Sequence, residues 1–167
     1  SPIVNRQSPI ANRQSPILIA VTELLFLASF VAWSLVRANM PHIETAGGEK
    51  WMEIAFLRAI LRSETFPPHD PWLSGFAISY YYFGYLMIAM LTRLSAVPPS
   101  IAFNLGIASW FALVCAASFS MVYNLLAVGR KTPGRLPWLG GFLGPLLVAI
   151  TGNLEGFLEW LHARGIG

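Results

Sequence analysis

The chain has 167 residues, 55% of them hydrophobic and only 11% charged, with a formal net charge of +3. Soluble domains carry about a quarter charged residues, so this composition is that of an integral membrane protein whose first partner is the lipid bilayer. Its basic residues flank apolar runs instead of forming a stripe, which excludes nucleic acid, and the single Cys115 excludes an internal disulfide or a cysteine-rich metal site.

Residues 1–16 carry a minirepeat, SPIVNRQ then SPIANRQ, followed by a third SPI. Each unit contains a proline, so a coiled coil is excluded and a disordered or extended leader is expected. Residues 17–36 form the first apolar run, about 30 Å long as a helix. That is too long for the apolar region of a signal peptide, so a retained transmembrane span is expected. The chain starts at Ser1 and ends at Gly167 without a terminal signal, and is read as a piece of a longer product.

Residues 49–62 are predicted to form an amphipathic surface helix. Met52, Phe56, Ala59 and Ile60 fall on one side, Glu49, Lys50 and Glu53 on another, and Leu57 and Leu61 sit beside the charges. Pro67, Pro68 and Pro71 forbid a helix until a second span at 76–94. A third span is expected at 101–127. A fourth, at 136–150, is weakened by Gly140, Gly141, Gly144 and Pro145.

The expected fold is all-α: one membrane domain over 17–167, multi-pass, with four spans and one loop helix, in the cell's inner (cytoplasmic) membrane. Counting four spans puts Arg6, Arg13, Arg93 and Arg164 on one side. Arg37, Lys50, Arg58, Arg62, Arg130, Lys131 and Arg135 fall on the other, so the positive-inside rule places the long loop in the cytoplasm.

Residues 67–84, PPHDPWLSGFAISYYYFG, are the most distinctive stretch. Asp70 lies among prolines before Trp72, and Tyr80, Tyr81 and Tyr82 open an apolar run. A rigid polar corner at the membrane surface suits a polar ligand. The tyrosines offer either a stacking platform for a sugar or quinone ring or an interfacial anchor. Asp70 alternatively caps the turn that Pro71 starts. Glu23 is the one acid inside a span, hydrogen-bonded in protonated form to a neighbouring helix or serving a proton relay. Arg93 can snorkel and needs no partner. Asn104 and Asn124 read as polar links between helices, while Gly140, Gly141, Gly144 and Glu23 are the helix-packing positions. His42, His69 and His162 are too scattered for a metal or haem site, so no metal and no cofactor of its own is expected.

The run from Gly47 to Gly84 resembles the start of the YYY membrane protein family, named for a YYYxG motif that here is Tyr80, Tyr81, Tyr82, Phe83 and Gly84. Glu49 with Lys50, Asp70 to Trp72, and the GNLEG segment at 152–156 also look like its signatures, so the resemblance covers residues 37–160. Members of that family are commonly several hundred residues long, so the resemblance implies that the chain matches their N-terminal part. The layout is similar to the glycosyltransferase C superfamily, which uses a lipid-linked sugar donor and acids of the first extramembrane loop. That resemblance implies Glu44, Glu49, Glu53 and Asp70 as general base or metal partners. It also implies an external loop, opposite to the basic-residue count. Glu49 and Glu53 alternatively just solvate a helix face.

Two functions follow. One is a non-catalytic accessory or scaffold subunit packed among other transmembrane subunits, with an electron-transfer or energy-transducing complex as host. The alternative is the N-terminal part of a glycosyltransferase C-like enzyme. Four spans supply few walls for a water-free active site, which favours the subunit.

Overall fold

The computed structural model describes residues 16–43, 48–128 and 135–165. The minirepeat leader, Glu44, Arg130 and Lys131 lie outside the described residues, apart from Pro16 at the end of the leader. Among the described residues every regular element is helical, with one isolated antiparallel bridge between His69 and Ala77. The elements are α1 (Pro16–Asn39), α2 (Lys50–Arg62), α3 (Phe83–Ser95), α4 (Pro99–Ala127), α5 (Arg135–Gly141), α6 (Leu143–Pro145) and α7 (Leu154–Ala163). A π-helical turn (Leu146–Ile150) and a 3₁₀ turn (Thr151–Asn153) join α6 to α7.

Among the described residues only α1 and α4 are long and apolar enough to cross a membrane, with 24 and 29 residues. Each opens on a proline, whose missing N–H costs nothing in the first helical turn. The amides of Ile101 and Ala102 bond back to the Pro98 carbonyl at 3.0 and 2.9 Å. The run expected as a second span at 76–94 is helical only from Phe83. Its 13 helical residues rise about 20 Å, short of the roughly 30 Å hydrocarbon. The residues before Phe83 are taken by a turn: Asp70 donates its amide to the Phe76 carbonyl and Ile78 donates to Pro68, both at 2.9 Å. The fourth apolar run departs from one helix as well. It breaks at Phe142 and widens into the π turn after Pro145, which has no N–H to continue the ladder.

By its internal packing the chain divides into two compact units. One is Ala28–Leu113; the other takes the described residues of Ser1–Leu27 and Val114–Gly167. In the first unit α2 forms where a helix is expected and buries a wide arc of its surface. Ile54, Phe56, Leu57, Ala59 and Ile60 are buried, and Leu57, read from sequence as a flaw beside the charges, is 1% exposed. Five apolar positions within seven residues cover too wide an arc for a one-sided stripe. They pack with Ile78, Ala89 and Phe103, flanked by Tyr82, Tyr85 and Leu86.

In the second unit the small residues of the α5–α6 segment lie against α4. A Cβ on Gly140 would meet the Leu126 side chain at 2.2 Å, one on Gly141 the Phe119 ring at 2.7 Å, and one on Gly144 the Ser118 carbonyl oxygen at 2.4 Å. Phe119, fully buried, meets Phe142 with the rings tilted and 4.9 Å apart, and Tyr123 meets Trp138 at 4.9 Å. These glycines therefore serve close packing within the chain itself.

Candidate functional site

The α2–α3 corner of the Ala28–Leu113 unit gathers most of the residues singled out in the sequence. Glu49 precedes α2 and Glu53 lies in its first turn, four residues apart and so on one face. Tyr80 donates its hydroxyl to Glu49 Oε2 at 3.1 Å, and Tyr85, in the first turn of α3, donates to Glu53 Oε1 at 3.4 Å. The Tyr80 phenol is held above its ordinary pKa, first by this hydrogen bond and then by the negative charge of Glu49.

Phe56 organises the corner. It is buried one turn beyond Glu53, and its ring lies 5.6 Å from Trp72, 5.6 Å from Tyr80 and 5.9 Å from Tyr85. The Trp72 contact is edge-to-face, the arrangement that ring quadrupoles favour. Tyr81 adds a ring 5.1 Å from Tyr80 and is itself exposed, whereas Tyr82 is half-buried against the core. Sequence reasoning placed Phe56 only on the apolar side of a helix and did not single out Tyr85. Their signal was spacing: Phe56 falls three residues after Glu53, and Tyr85 four after Tyr81.

Asp70 does not join that carboxylate pair. Its Oδ1 accepts the amides of Trp72 at 2.8 Å and Leu73 at 2.9 Å, closing the turn after Pro71. His69 donates its amide to Ser63 Oγ at 3.1 Å, and Gly75 takes a φ of 85° that any other residue would find strained. A groove of about 750 Å³ runs beside this turn, with Arg62, Glu64, His69, Asp70 and Trp72 along it. Among the described residues no three His, Cys, Asp or Glu side chains converge as a metal site.

Two cations tie helices together. Arg37, at the end of α1, places Nε 3.0 Å and Nη2 2.5 Å from Asn104 Oδ1, and the Asn104 amide donates to Ser100 at 3.0 Å and Pro41 at 3.4 Å. Arg93, expected to need no partner, donates Nη2 to the Leu61 carbonyl and so pins the end of α3 to the last turn of α2. Glu23 belongs to the other unit. It sits on the exposed surface of α1, a helix with no fully buried residue.

A family model described as an uncharacterized membrane protein, DUF2298, matches residues 4–167. No curated protein and no solved structure matches the chain.

Proposed function

The chain belongs to the DUF2298 family of uncharacterized membrane proteins, and from that premise we propose that it is a non-catalytic transmembrane subunit packed within a larger membrane complex. The observation that carries this reading is Glu23. It lies seven residues into α1, about 10 Å along an apolar helix, with its carboxylate exposed and unbonded among the described residues. A carboxyl group at hydrocarbon depth costs about 2.5–3.5 kcal/mol unless another protein group covers it. A neighbouring subunit's helix with a hydrogen-bond donor supplies that cover.

The finer assignment is to the YYY membrane proteins, through Tyr80 to Gly84. The host is an electron-transfer or other energy-transducing complex of the inner membrane. This multi-pass chain contributes packing to it and no cofactor of its own. Purification in mild detergent followed by native mass spectrometry tests the proposal. It should give an assembly with other transmembrane subunits that Glu23→Leu loosens. A chain running alone near its 18.4 kDa mass, unchanged by that substitution, would overturn it.

A second reading, the N-terminal part of a glycosyltransferase C-like enzyme, is favoured by one observation: Glu49 and Glu53 converge with tyrosines beside an aromatic cluster, as a sugar-handling site needs. Asp70 speaks against it, because its carboxylate oxygen is engaged by two backbone amides. Transfer from a lipid-linked sugar by the chain or a longer parent would favour this reading.

A further inference from the structure

Beneath Glu53 lies a cavity of about 350 Å³ between α2, α3 and α4. Leu57, Ile88, Phe103 and Ile107 line it, with Tyr81 and Trp110 at its side. Two glycines keep it open. A Cβ on Gly106 would come within 3.2 Å of Ile88, and one on Gly84 would stand 3.7 Å from Trp110. Cavities that hold small ligands start near 300 Å³, so this one accepts part of a lipid.

Its polar end has a definite sense. Glu53 is a carboxylate, which only accepts hydrogen bonds, and the Tyr85 hydroxyl proton is already directed at Glu53 Oε1. Both groups line the cavity with only acceptor capacity left, so whatever enters must donate to them. A phosphate or carboxylate head would meet the negative charge of Glu53, with Glu49 four residues away on the same face. Aromatic rings at the side suit the C–H face of a polyol.

We propose that this cavity binds a phosphate-free lipid, its apolar chain between α2, α3 and α4 and its head-group hydroxyls donating to Glu53 and Tyr85. Glycerol and sugar heads share that chemistry.

The test is photo-crosslinking of the full chain in phosphatidylcholine nanodiscs with a diazirine-tagged monoacylglycerol, with adducts mapped by peptide mass spectrometry. Adducts are expected on residues 84–88 and 103–110. Untagged monoacylglycerol should compete with the label, or an alkyl glucoside if a sugar head is preferred, whereas lysophosphatidic acid of the same chain length should not. Glu53→Leu should lower labelling roughly tenfold, as expected for losing one charged hydrogen bond. Gly84→Leu should abolish it by filling the space, and it strains the packing less than a change at Gly106 would. Equal competition by lysophosphatidic acid, better competition by a long-chain amine, or labelling untouched by Glu53→Leu in a chain of unchanged helix content would each overturn the proposal. If Gly84→Leu does not fold, Glu53→Leu and the competitor series decide alone.

Discussion

Adding one methyl group at each of the three α5–α6 glycines should produce three different outcomes, because each would meet a different neighbour. At Gly140 the obstacle is the tip of the flexible Leu126 side chain. A rotamer change clears it, and the gain in helix propensity of up to about 1 kcal/mol offsets the cost. At Gly141 the obstacle is the fully buried Phe119 ring, which has nowhere to turn. At Gly144 it is backbone: the added Cβ would stand 2.4 Å from the Ser118 oxygen and 2.6 Å from its carbonyl carbon, so α4 itself must move. Overpacking costs about 1–3 kcal/mol, and the upper half of that range applies where backbone must shift. Gly144→Ala should therefore destabilise by about 2 kcal/mol or more, Gly141→Ala by about 1–2, and Gly140→Ala by close to zero. Unfolding in mixed micelles titrated with sodium dodecyl sulfate, followed by circular dichroism, reads these differences directly. A Gly144→Ala chain as stable as the parent, or Gly140→Ala as the worst of the three, would refute the packing argument.

Two further outcomes follow from the α2–α3 corner. Asp70→Asn keeps an acceptor oxygen for the Trp72 and Leu73 amides, so unfolding should shift by less than about 0.5 kcal/mol, whereas Asp70→Ala should cost roughly 1 kcal/mol. An enzyme using Asp70 as base would instead lose roughly two orders of magnitude in rate with Asn. For Tyr80, a raised pKa means that its hydrogen bond contributes fully below the ordinary tyrosine value near 10 and is lost as pH climbs through the raised one. Glu49→Gln should shift the Tyr80 titration downward in ¹³C spectra assigned with Tyr80→Phe; no movement would sever the two residues.

Run length made α1 and α4 legible, because twenty or more apolar residues have few other uses. The α2 helix was legible as a helix but not as a core element. Its charges argued for a surface, while its buried arc depends on α3, which is remote in sequence. The start of α3 could not be read, since residues 76–78 look like more apolar helix until Pro68 and Asp70 claim their backbone. The acids and tyrosines of the corner were legible as a group. Their pairing, and the Phe56 ring at its centre, were not, because a pattern of residue types carries no partner. The glycines announced close packing, but only the structure identifies α4 of the same chain as what they pack against.

The turn after α2 has a bearing on depth. The amides of His69, Asp70, Trp72, Leu73, Phe76 and Ile78 are all satisfied inside the loop, by Ser63, by the Asp70 carboxylate or by one another's carbonyls. Meanwhile Trp72, Leu73 and Phe76 are 59%, 61% and 67% exposed. Irregular backbone is normally kept out of lipid by its thirst for water. Here the peptide groups with internal partners make no such demand, and the rings at the tip favour the headgroup layer, where tryptophan is most at home. An exposed Trp72 on a turn whose amides have internal partners is a combination suited to a float as much as to a connection.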